Sequence, residues 1–169
     1  MTTAEFIGGI LVRDLRAVQR ELAAYDNEAD IWRCPETIPN SAGTLALHVV
    51  GNLRHYVGAV LGATGYVRDR PAEFSRRDVP RAELVHEIDL AVADVGAVMS
   101  RLTGPELDAT FPEAVAGRHV VTADWLIHLC AHLGYHLGQI DYHRRLIAGN
   151  AASVGAVSPS ELRSATPAT

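Results

Sequence analysis

Apolar residues recur at steps of three and four along four stretches of the chain, the period of helices that bury one face. In residues 3–27 the stripe is Ile7, Leu11, Leu15, Val18, Leu22 and Tyr25, with Arg13, Arg16, Arg20 and Glu21 mostly off it. Pro35 and Pro39 bar continuation, and Asn40-Ser41 offers N-caps for a second helix over 41–61. Its apolar positions are Leu45, Val49, Leu53, Tyr56, Val57 and Val60, and Gly62-Ala-Thr-Gly65 suits a left-handed cap at its end. Pro80 fits the first turn of a third helix carrying Leu84, Ile88, Ala91, Val95, Val98 and Leu102, which Gly104-Pro105 stops. After an irregular segment, 106–121, Thr122 caps a fourth helix over 122–148, with Asp124 placed for its dipole. Leu126, Leu129, Leu133, Leu137, Ile140 and Ile147 are its apolar positions. No alternating strand pattern and no fixed repeat stands out.

The polar connection over 66–79 is longer than the usual ~2–8 residues between adjacent bundle helices. Extended, it spans a whole bundle, so the second and third helices are expected to run parallel, joined by a crossover. The expected fold is all-α: a four-helix bundle over 1–149, followed by a mobile or loosely docked tail, 150–169, rich in Ala, Ser and Pro.

Composition narrows the function classes. With 169 residues and 48% hydrophobic content the chain has the length of one domain and enough apolar surface to order it. A net charge of −5 argues against a nucleic-acid partner, which needs clustered positive charge. All 15 basic residues are Arg, so no lysine Schiff base is available. Two cysteines, Cys34 and Cys130, are too few for a disulfide scaffold. No basic segment precedes the first apolar stretch and no apolar run reaches ~18 residues, so a cytoplasmic chain outside the membrane is expected.

The histidines carry the chemistry. His128, His132 and His136 lie one turn apart on the fourth helix. His132 and His136 flank Leu133 and precede Ile140, so they point inward. A single inward histidine is ordinarily a core residue bonded to a nearby carbonyl or hydroxyl, whereas two stacked imidazoles at this spacing are able to grip one metal ion. The residue after His132 is Leu133, which excludes the His-Glu-x-x-His protease arrangement and its general base. A third ligand would come from the second helix, where His48 is the first candidate. His55, seven residues on, faces the same side and competes on geometry.

The stretch Leu45-Ala-Leu-His48-Val-Val-Gly-Asn-Leu, followed downstream by His132-Leu-Gly-Tyr-His136-Leu-Gly-Gln139-Ile, resembles the DinB/YfiT-like family. The resemblance extends through Gly62…Tyr66-Val-Arg68-Asp-Arg70…Glu73-Phe74. It implies an up-down-down-up bundle holding one divalent metal, zinc or nickel, with His48, His132 and His136 as ligands. His55, His128 and His143 fall outside the motif. The family includes thiol-dependent transferases and an isomerase, which implies a small-molecule substrate and a low-molecular-weight thiol as co-substrate.

Three imidazoles leave a coordination position open, as in catalytic rather than closed structural zinc sites. The expected function is therefore hydrolysis or thiol transfer on a small electrophile. The alternative is a non-catalytic, metal-stabilised bundle acting through homodimerisation or partner binding. Among the other residues, Cys130 reads as a packed small hydrophobe, and Arg68, Arg70, Arg76 and Arg77 as a solvated, salt-bridged loop with Asp69, Glu73 and Asp78. Gly134 and Gly138 each weaken a helix by ~1 kcal/mol, so they are expected to admit a closely packed helix. No acid or base is evident one turn from the ligands. Gln139, Asn52, Tyr56 or loop residues are the candidates to assist, and the walls of the open position are expected to include residues near Asn52 and Gln139 together with the Arg-bearing crossover.

Overall fold

Each helix begins where a side chain can satisfy the first free N–H groups. Thr2 and Glu5 form a capping box on α1 (Thr3–Ala23), and the Ser41 hydroxyl accepts from Thr44 N–H (3.1 Å) at the start of α2 (Ala42–Leu53). In the computed structural model, which describes residues 1–168, α2 runs on as a π-helix (Arg54–Leu61). There follow α3 (Arg70–Ser75), α4 (Arg81–Met99), α5 (Gly104–Asp108) and α6 (Thr122–Ala148), with 3-10 turns at Glu28–Trp32 and Pro159–Glu161. The described residues hold no β-strand. None of the described helices is long and apolar enough to cross a membrane.

Three element boundaries depart from the sequence expectation, each for a local reason. α1 stops at Ala23, because the Asn27 side chain accepts from Ala29 N–H (3.2 Å) and caps the next 3-10 turn. The Gly62–Gly65 turn holds a left-handed glycine as expected, Gly65 (φ 77°), beside left-handed Ala63 (φ 51°), while Gly62 stays at φ −99°, where a Cβ would lie 2.4 Å from Gly58 O. The segment 106–121, expected to be irregular, contains the end of α5, whose Thr103 and Glu106 form a second capping box. Thr122 is the first residue inside α6 rather than its cap, and its hydroxyl donates to Ala109 O (3.0 Å).

All twelve residues of α2 are buried, as expected for a helix that is apolar nearly all round. The 3-10 turn, α3, α4 and α6 all pack on it. At position 43 a Cβ would come within 2.6 Å of the Trp32 ring, so glycine lets that ring close over the helix.

The contacts also define which ends meet. Between α1 and α4, Gly8 faces Met99 and Gln19 donates to Val85 O (3.2 Å). Between α1 and α6, Cys130 approaches Ile7, and Tyr25 Oη donates to His143 Nδ1 (2.7 Å). Arg54 bonds Glu87 (2.8 Å) and Gly62 lies against Val98, pairing the second long helix with α4. His48 meets His132 and Tyr56 meets Trp125, pairing it with α6.

The far end of the core holds a buried ion pair. Arg144, with no exposed surface, donates to Glu21 (2.5 Å) and also to Asn150 O and Ala152 O (2.7 and 2.9 Å). After Gly149, whose φ of 65° ends α6, Arg20 adds bonds to Val154 O and Gly155 O. Glu21 is buried too, and its second oxygen has no partner. Arg144→Ala should therefore cost ~3–5 kcal/mol in chemical denaturation, because it strands a buried carboxylate. A loss within the ~1 kcal/mol of an exposed pair would contradict this reading.

Candidate metal centre

His48 sits in the second turn of α2, which packs directly on α6. His132 and His136 stand one turn apart on the facing side of α6. The structure brings these three together: His48 Nε2 lies 3.3 Å from His132 Nε2, which lies 3.2 Å from His136 Nε2. One ligand atom from each falls within 4.8 Å of the others.

The opposite ring nitrogens decide what the cluster is able to do. His48 Nδ1 lies 2.9 Å from Glu73 Oε2, and His136 Nδ1 lies 2.7 Å from Gln139 Oε1. Both partners are acceptors, so both Nδ1 atoms carry the proton and both Nε2 atoms present lone pairs. His132 has one N–H at most to offer those two neighbours. Three converging imidazole nitrogens thus lack the protons for a full set of hydrogen bonds among themselves, and they match a cation. With Zn–N bonds of ~2.0–2.1 Å, tetrahedral ligand nitrogens sit ~3.3 Å apart, close to the distance of His132 Nε2 from each of the other two.

Electrostatics point the same way. Burial, aided by His136 and His48, lowers His132 from 6.5 to about 4. Burial also lowers His136, against the hydrogen bond to Gln139. Both rings are therefore neutral, the form that ligates, near neutral pH.

Glu73 comes from the crossover, which the sequence reading treated as a solvated loop. Asp69 accepts from Ala72 N–H (3.0 Å) and, with Pro71 in the first turn, starts α3. That helix puts Phe74 against the His48 ring (centroids 5.0 Å apart) and Glu73 against α2. Gly51 makes room: a Cβ there would sit 2.2 Å from Glu73 Oε1. Arg68 donates to both carboxylate oxygens (2.6 and 3.0 Å), and Glu73 is only 6% exposed. Burial pushes the Glu73 carboxyl up, but hydrogen bonds from His48 and Arg68 outweigh it and hold it below the usual carboxylate value. The result is a carboxylate–histidine pair of the kind that fixes the tautomer of a metal ligand.

The family model of the DinB superfamily matches residues 11–140, a span that contains all three histidines. The chain belongs to the DinB superfamily. Neither curated proteins nor solved structures offer a match.

In this DinB-superfamily chain the other candidates have separate roles. His55, the geometric rival, turns to Glu113 (3.0 Å). His143 is a satisfied core histidine, donating from Nε2 to Arg33 O (2.8 Å) and accepting from Tyr25. His128 is exposed and stacks on Trp125 (4.9 Å). Burial pushes the Cys130 thiol up to about 11, which leaves it a poor nucleophile. Arg76 is an exposed, paired residue as expected, whereas Arg68, also paired, is largely buried. Gln139 acts on His136 directly, and Asn52 is buried one turn beyond His48. Glu73, on the crossover, is the loop acid that reaches the ligands, from an element remote in sequence.

Gly51→Ala should lower affinity for zinc ~10–100-fold in chelator competition by displacing Glu73, although residue 51 is not a ligand. Gly96→Ala, where a Cβ meets nothing, should leave it unchanged; equal affinity for both variants would contradict the role of Glu73. The lowered pKa values of His132 and His136 mean that the unfolded chain binds more protons than the folded one below the ordinary imidazole value. Thermal stability of EDTA-treated protein should thus be full above pH 6.5 and fall as the pH drops from 6.5 towards 4. A His132→Gln variant should show a shallower fall over that window; an identical slope would contradict the assignment.

Proposed function

We propose that His48, His132 and His136 hold one divalent ion, zinc or nickel, and that the protein is an enzyme acting on a small electrophilic substrate by hydrolysis or thiol transfer. The observation that carries this reading is the convergence of three Nε2 atoms while two of the opposite nitrogens are held by Glu73 and Gln139. Membership of a superfamily that generally binds metal supports it. The bound ion would supply Lewis acidity at a position that three protein ligands leave open. The residues of the chain do the rest. Glu73 and Gln139 orient His48 and His136, Arg68 keeps Glu73 anionic, and burial keeps His132 and His136 uncharged. Beside them His128, Trp125 and Tyr56 form an aromatic wall against which an apolar substrate is able to pack.

The same reading extends to topology and setting. The pairings Gly8 with Met99, Ile7 with Cys130, Arg54 with Glu87 and His48 with His132 support an up-down-down-up bundle. In it the second long helix and α4 run parallel across the 66–79 crossover. Both cysteines are free thiols, in keeping with a reducing, cytoplasmic setting.

One observation favours the alternative, a metal that only crosslinks α2 to α6. The nearest carboxylate, Glu73, is fully engaged by His48 and Arg68 and offers no free base. The two readings separate experimentally. Protein purified without a His tag should contain one divalent ion per chain, and His48→Ala should lose far more of it than His55→Ala. Equal losses, or no uptake after incubation with zinc and nickel, would sink the ligand assignment. The spectrum of cobalt-substituted protein should shift on adding azide or a small thiol; a spectrum that ignores both would favour the purely structural ion.

A further inference from the structure

We propose that a second copy of this chain packs on the outer face of α6, in an antiparallel helix pair related by a two-fold axis. Opposite its core-facing row, α6 exposes Ile127, Ala131, Tyr135, Gly138, Tyr142 and Leu146, spaced by three and four residues. The four large side chains among them are 58%, 66%, 72% and 64% exposed. Between Asp124 and Leu146 no fully exposed position of the helix carries a charge, and Asp141 and Arg145 are bonded to one another (2.8 Å). A solvent-facing helix side is ordinarily charged, whereas tyrosine enrichment with charge depletion marks the centre of an interface.

The glycines add an independent argument. Gly134 and Gly138 were expected to admit a close neighbour, yet a Cβ at either would meet nothing within 4 Å. Among the described residues no helix uses the space they leave, although each weakens α6 by ~1 kcal/mol.

The spacing of the row fits its own reverse. In an antiparallel pair with the axis between His136 and Leu137, Ile127 falls opposite Leu146 of the second copy, Ala131 opposite Tyr142, and Tyr135 opposite Gly138. Each inner pair sets a large ring against a small residue, and the same pairs recur on both sides of the axis, as an isologous contact requires. Beside Tyr142 and Leu146 lies a cleft of about 230 Å³, also lined by Ile38, Pro39 and Leu45. That cleft is where the second copy's Ile127 would enter. At ~150–250 Å² per large side chain the row offers roughly 500 Å² of apolar surface per copy. With the cleft and the flanking His128 and Gln139, it approaches the ~800 Å² per partner of a standard interface.

Sedimentation equilibrium of the full chain at micromolar concentration should give twice the 18.2 kDa mass. Tyr142→Glu and Gly138→Arg should each return a monomer with unchanged helical content, since both positions are exposed. In a Cys34→Ser, Cys130→Ala background, Ala131→Cys combined with Tyr142→Cys should form a covalent dimer on oxidation, whereas either cysteine alone should form far less. The two positions lie ~16 Å apart along one helix, too far for an intrachain bond. A monomeric wild type, or a dimer that persists in both charged variants and fails to crosslink, would overturn the proposal.

Discussion

The hydrogen bond between His48 Nδ1 and Glu73 Oε2 joins parts of the chain that no local pattern connects. Through it the crossover helix α3 sets the tautomer of a ring on α2, and the free Nε2 of that ring then faces α6. Arg68 completes the chain by holding both oxygens of Glu73. Each member makes sense only with the next. A buried carboxylate needs its guanidinium, the imidazole needs an acceptor, and the bare nitrogen needs a cation. Gly51 belongs to the same arrangement by leaving the space that Glu73 occupies.

Much of this was legible in one sequence. The four periodic stretches correspond to the four long helices, because amphipathic period and proline positions are local signals that packing did not override. His132 and His136 were legible because a four-residue step on a helix is geometry in itself. His48 was legible only as one of two candidates; the family resemblance chose it, and the structure turns His55 towards Glu113 instead.

What stayed hidden depends on distance in sequence or on competition between caps. Glu73 looked like one acid among several in a charged segment, because charge pattern says nothing about burial. The Asp69-x-Pro71 start of α3 was the available signal, since a helix inside the crossover has an inner face. α5 was missed for the same reason: Gly104-Pro105 stops one helix, and with Thr103 and Glu106 it starts another. Thr122 had two possible partners, and a carbonyl of the preceding segment won over the cap. Gly134 and Gly138 are expected to admit a closely packed helix, yet a Cβ at either would meet nothing within 4 Å.

In the proposed site three imidazoles, each through Nε2, form the protein's share of one ion's surroundings. X-ray absorption at the zinc edge of reconstituted protein tests it most directly. Imidazole multiple scattering from three histidines is expected at the ~2.0–2.1 Å of Zn–N bonds, with one further light-atom neighbour and no sulfur. A shell containing sulfur at ~2.3 Å, or one with fewer than two imidazoles, would contradict it.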